Sequence, residues 1–135
     1  MTPTEMQALV TRHIDAEGRG DIEAAIAVYT DDVEHDVPGF PDSPSRGKDG
    51  ARAFYENLTA NYRHEHERVL HRYVSDDALV LEHQMTGVVT GSMLGLPGNG
   101  RQITFRTVHI FEFRDGLISR ENVWLDSAEV VAQLS

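Results

Sequence analysis

The chain contains no cysteine. Disulfides, thiolate zinc sites and a cysteine nucleophile are therefore excluded. Cations are scarce: 12 Lys and Arg stand against 22 Asp and Glu, a formal net charge of −10 with neutral histidines. Nucleic acid is an unsuitable partner for such a chain, because neutralising phosphates takes clustered Lys and Arg. Docking on anionic membranes is disfavoured for the same reason. No apolar run approaches the roughly 20 residues that a spanning helix requires. Met1-Thr-Pro-Thr-Glu5 is polar and acidic, so no signal or transit segment is expected and the expected location is cytoplasmic. Gly91 to Gly100 lacks the strand-to-helix setting of a phosphate loop, and no serine sits in a nucleophile elbow.

What is there suffices for one domain, expected over residues 1–135, burying roughly two-thirds of its unfolded surface. Thr4-Glu-Met-Gln7 reads as a capping box, and Met6, Leu9, Val10, His13 and Ile14 form one helical stripe. Gly18 and Gly20 end that helix. Asp21 caps a second, with Ile22, Ala25, Ile26 and Tyr29 at helical spacing. A short strand, Val33 to Val37, precedes a loop and a third helix that lines up Ala51, Phe54, Tyr55, Leu58 and Tyr62. Strands follow at 66–74, 79–89, 102–114 and 117–126, then a helix at 127–134. The expected class is α+β, with helices on one face of a curved antiparallel sheet.

Asp115-Gly116 between two β-rich runs signals a two-residue hairpin turn. Simple alternation then sets His109 opposite Asn122, Phe111 opposite Arg120, Thr107 opposite Trp124 and Phe105 opposite Asp126, all on one face. The other face carries Arg106, Val108, Ile110, Glu112, Ser119, Glu121, Val123 and Leu125. Aromatics around His109, Arg120, Asn122 and Asp126 have the make-up of a small-molecule pocket, or of polar groups satisfying one another. Both faces are partly apolar, and helices cover only one. The second face, with Val108, Ile110, Val123 and Leu125, is expected to pair with a second copy.

Gly20-Asp-Ile-Glu-Ala-Ala-Ile-Ala-Val-Tyr-Thr-Asp-Asp32 and Gly47-Lys-Asp-Gly-Ala-Arg-Ala-Phe-Tyr55 resemble ketosteroid isomerases. Gly95-Leu-Pro-Gly-Asn-Gly-Arg101, His109-Ile-Phe-Glu-Phe-Arg-Asp-Gly-Leu-Ile118 and Trp124-Leu-Asp126 are similar to SnoaL-like polyketide cyclases. Both belong to the nuclear transport factor 2-like superfamily. That resemblance implies a cone-shaped, curved, mixed sheet wrapped around three N-terminal helices, and a homodimer through the outer sheet face. It matches His13 and His109 to the isomerases' two oxyanion donors, but their base aspartate to Val37, so that triad is not present. From the cyclases it implies an acid on the last strand, helped by a histidine on the strand before. The acid's position falls near Val123; Asp126 lies on the pocket face by alternation, and His109 fits the helper.

The expected function is a small acid–base enzyme, needing no cofactor, acting on an apolar carbonyl-bearing or polycyclic molecule; the alternative is a non-catalytic binding module. His109 and Asp126 are the candidate catalytic pair. Arg120, Asn122, Trp124, His13, His35, Glu82, Gln84 and Phe111 are candidate substrate contacts. Asp126 has a second reading as a helix cap. Arg120 has one as the partner of an acid such as Glu82, and Glu82 with Gln84 has one as an outward pair. Epoxide hydrolysis wants Asp-Arg-Asp, which Glu82 and Gln84 replace imperfectly. His64, His66 and His71 beside Glu65 and Glu67 offer no third ligand at a convincing spacing, so no metal is expected.

Overall fold

Thr2 opens the first helix in a computed structural model that describes all 135 residues, Met1–Ser135. Its hydroxyl accepts from the Glu5 amide at 3.1 Å, and the Glu5 carboxylate accepts from the Thr2 amide at 2.9 Å. The capping box thus lies two residues before the expected one, because Pro3, which has no amide to satisfy, takes the first helical position. Helix α1 (Pro3–Gly18) buries Met6, Leu9, Val10, His13 and Ala16. Helix α2 (Ile22–Ile26) is capped by Asp21 and ends earlier than its spacing suggests. Tyr29, expected on that helix, is instead the first residue of strand β1 (Tyr29–Asp36). Helix α3 (Lys48–Asn61) buries Ala51, Phe54 and Tyr55, and helix α4 (Ser127–Leu134) closes the chain.

The other strands are β2 (Ser45–Arg46), β3 (Tyr62–Val74), β4 (Ala78–Val89), β5 (Ser92–Met93), β6 (Leu96–Pro97), β7 (Arg101–Arg114) and β8 (Leu117–Leu125). Six form one sheet in the order β2-β1-β8-β7-β4-β3. The β1–β8 pair is parallel and the rest antiparallel, so the sheet is mixed. The α+β class and the curved sheet against N-terminal helices are as expected. Leu79, Leu81, Phe111, Ile118 and Val33 from the inner face pack with Met6, Leu9, Val10, Phe54 and Tyr55 from the helices.

The hairpin departs from simple alternation. Asp115 and Gly116 both have positive φ, 55° and 78°, as a tight hairpin turn requires. Arg114 pairs with Leu117 and Phe113 with Ile118, as expected; Glu112 then pairs with Arg120, leaving Ser119 as an extra residue. This β-bulge turns the rest of β8 over, since a one-residue slip exchanges faces. Phe111 stands opposite Glu121, His109 opposite Val123 and Thr107 opposite Leu125. The expected pairs of His109 with Asn122, Phe111 with Arg120 and Thr107 with Trp124 do not form. Strand β3 has a bulge of its own: His64 pairs with Gly87 and His66 with Thr86, which leaves Glu65 extra. His64 and His66 therefore do not share a face.

Candidate functional site

Between helices and sheet lies a cavity of about 410 Å³. That volume falls in the range of small-molecule sites. Phe40, Phe54, Leu58, Met85, Phe105 and Val123 supply apolar wall. Polar groups gather at two ends.

At one end the helical stripe of α1 carries His13 into the core, with no exposed surface. Its Nδ1–H donates to the Ala25 carbonyl at 2.7 Å, and its Nε2 lies 2.8 Å from Glu121 Oε1. The bulge in β8 is what aims Glu121 here. Tyr29 donates to the same oxygen at 2.6 Å, and the Tyr55 hydroxyl lies 3.1 Å from both Tyr29 and His13. Oxygen Oε2 is less engaged, with only a long contact to Tyr55 at 3.5 Å and His35 Nε2 at 4.0 Å. Glu17, one turn after His13, comes within 3.5 Å of it.

Burial opposes charge on His13, but Glu121 and Glu17 outweigh it and raise the imidazole to about 9. Burial likewise opposes charge on Glu121, and the His13 cation outweighs it, holding that carboxyl far below the ordinary range. The pair is a buried ion pair at neutral pH. Burial keeps both tyrosines protonated as donors. Burial also pushes His35 down, so it is neutral; neither of its ring nitrogens has a hydrogen-bond partner.

At the other end stand His109, His83, Glu67 and His64. Burial pushes His109 down to about 4, the nearby Glu121 charge notwithstanding, so a neutral imidazole faces the cavity. Its ring stacks on Phe111 at 5.8 Å and its Nδ1 is 3.4 Å from the Thr107 hydroxyl. His83 bonds Glu67 at 3.0 Å.

Similarity to known proteins gives the family and the fold. The family model for SnoaL-like polyketide cyclases matches residues 7–134. The chain belongs to that family. A candidate polyketide cyclase from Xanthomonas campestris is similar at 26% identity, with 98% of each chain covered and a TM-score of 0.84. TsrD from Streptomyces laurentii is 22% identical over 100% of this chain and 98% of its own, also at 0.84. An NTF2-like protein of unknown function from Burkholderia pseudomallei shares the fold at 20% identity, 99% coverage of both chains and a TM-score of 0.79. No curated protein matches the sequence.

Within this SnoaL-like frame, four expected residues lie inside the cone: His13, His35, His109 and Phe111. Of these only His109 lines the cavity; His13, His35 and Phe111 are core behind its wall, with Phe111 packed between the rings of His13 and His109. The others lie elsewhere. Arg120 is on the outer face, bonded to Glu34 and, at 3.0 Å, to Glu112. Asn122 donates to Asp36 at 3.2 Å and accepts from the Trp124 indole at 2.6 Å; Trp124 is 56% exposed. Asp126 caps α4, accepting from the Glu129 amide at 3.1 Å. Glu82 pairs with Val108 and Gln84 with Arg106 on the outer face, where Arg68 donates to Gln84 at 3.3 Å. One cause, the extra residue at Ser119, displaces Arg120, Asn122 and Trp124, and Asp126 is taken up by the helix that follows.

The sequence did not single out Glu121, Glu17 or His83; Glu67 entered only beside His64, His66 and His71 as a metal ligand, and Tyr29 and Tyr55 only as residues at helical spacing. A signal for Glu121 was there. Ile118 and the pair Val123 and Leu125 are apolar but of opposite parity, which a strand with one inner face accommodates only through a bulge.

Proposed function

We propose that this SnoaL-like protein catalyses proton transfer beside a carbonyl of an apolar small molecule, with Glu121 as the acid–base group. What carries the reading is a buried last-strand carboxylate turned into the cavity, across the sheet from His109. Oε1 is held by His13 and Tyr29, so Oε2 has the lone pair free to take a proton from carbon. The C–H electrons pass into an enolate, whose oxygen accepts a hydrogen bond from the neutral His109 ring. Glu121 returns the proton when the enolate adds to a second carbonyl, eliminates or isomerises. A carboxylate held so firmly ionised is a weak base, so the substrate is one whose C–H is flanked by two carbonyls.

Deuterium exchange tests this without knowledge of the natural product. The protein is expected to accelerate exchange at the central carbon of an aryl β-keto ester, and Glu121→Gln to lose that acceleration by about 10²-fold or more. The binding-module reading is favoured by one feature: His13, Tyr29, Tyr55 and Glu121 satisfy one another without a ligand. Tight binding of the keto ester with no accelerated exchange would establish it.

The homodimer is proposed on a corrected surface. Val123 and Leu125 face inward, and the outer face instead presents Val80, Val108, Ile110 and Trp124. Arg106, Glu82 and Glu112 flank them, offering both signs of charge to a twofold-related copy.

A further inference from the structure

His83 and Glu67 take no part in the chemistry proposed for Glu121, yet they form a built site. His83 stands opposite Thr107 on the inner face, 1% exposed, and lines the cavity. Glu67 would be one more charge on an outer strand were it not for the extra residue Glu65, which brings it to the inner face opposite Met85. Its Oε2 lies 3.0 Å from His83 Nδ1. An ionised carboxylate only accepts, so Nδ1 carries the hydrogen and Nε2 is left with the lone pair. That Nε2 is buried and has no hydrogen-bond partner. Buried polar atoms of native proteins are nearly always satisfied, and an exception calls for a ligand, water or function.

We propose that the Glu67–His83 pair is a second ligand station, which accepts the hydroxyl of a phenolic or enolic substrate at His83 Nε2. Glu67 is the positioning residue: it fixes the tautomer and supports the imidazolium when the hydroxyl proton moves to Nε2 and leaves a phenolate or enolate oxygen. The His109 ring lies 4.9 Å from His83 between centroids and close enough to Glu121 to feel its charge. From Thr107 to Phe111 along β7 and from β4 across to β8, His83 and Glu121 are roughly 16 Å apart between backbones. The station therefore lies far enough from Glu121 to hold a hydroxyl of a ligand whose reacting carbon is left to Glu121. That division rests on the function proposed for Glu121; the hydroxyl station itself does not.

The test uses the intact protein and two probes, 2-naphthol and 2-methoxynaphthalene, which differ by the hydroxyl hydrogen. Imidazole ¹⁵N spectra of the wild type are expected to show His83 as one tautomer, with Nε2 shifting on 2-naphthol and not on the ether. Affinity for 2-naphthol should exceed that for the ether by about tenfold, as a site built to bond a hydroxyl rejects the analogue lacking it. His83→Gln should bring the two affinities within about twofold, while Glu121→Gln keeps the difference. Glu67→Gln should release the tautomer, seen as mixed Nδ1 and Nε2 signals. His83 resonances that stay unmoved at millimolar 2-naphthol would overturn the proposal, even if His83→Gln fails to fold. A hydroxyl preference lost in Glu121→Gln but kept in His83→Gln would overturn it too. Loss of deuterium exchange alone would bear on Glu121 and leave this station standing.

Discussion

Removing the charge of Glu121 should abolish a pH dependence of stability that the buried pair creates. His13 has a folded-state pKa of about 9 against an ordinary value of 6.5. A group raised on folding contributes stability that is fully present below its unfolded value and is lost as pH climbs through the folded one. At about 1.4 kcal/mol per tenfold change in proton affinity, the linked stability is about 3 kcal/mol, lost between about pH 6.5 and pH 9.5. Burial raises Glu17, with His13 pulling the other way, and a raised carboxyl adds a loss of the same sign over the pH range above its unfolded value. Glu121 itself is lowered, so its share is present above the unfolded value of 4.5 and lost as pH falls below it. Urea denaturation followed by circular dichroism at constant ionic strength measures the alkaline arm. In Glu121→Gln the arm should flatten, because burial then keeps His13 neutral, and stability at about pH 6 should fall by about 3–5 kcal/mol. A wild type equally stable at both ends of the range, or a variant that keeps the wild-type slope, would refute the ion pair.

Other expectations follow from the same packing. A Cβ at Gly87 would lie 2.3 Å from Tyr62 Cζ and 2.6 Å from the Arg63 carbonyl, so Gly87→Ala should cost about 1–3 kcal/mol in urea melts. Asp126→Ala should lower the melting temperature through loss of the α4 cap while leaving deuterium exchange at the wild-type rate; a loss of exchange would return Asp126 to the site. Val108→Asp with Trp124→Ser should give a folded monomer where the wild type sediments as a dimer, and a monomeric wild type would refute the dimer.

The helices and strands were legible because their signals are local. The stripe Met6, Leu9, Val10, His13 reads as one buried helical face, and Asp115-Gly116 names its own turn. The site was not legible, because it depends on single extra residues. Ser119 and Glu65 carry no turn signature; Ser119 reverses the parity of the rest of β8, and Glu65 that of β3 as far as a second extra residue, Leu70. Alternation counted back from the turn therefore put Arg120 and Asn122 where Glu121 and Val123 stand. His13, His35 and His109 escaped the error: His13 lies on a helix, and His35 and His109 lie on strands where the parity with their apolar neighbours holds. The family pattern pointed to the last strand for an acid, and the register in space is what turns Glu121 of that strand toward the cavity.

Comparing Glu121→Gln with Asp126→Asn in the deuterium-exchange assay decides which carboxyl moves the proton, since the two belong to alternative registers of one hairpin. Glu121→Gln is expected to lose about 10²-fold or more in rate, with keto ester affinity within a few fold of wild type, and Asp126→Asn to keep the wild-type rate. Full activity in Glu121→Gln alongside an inactive Asp126→Asn would contradict the role given to Glu121.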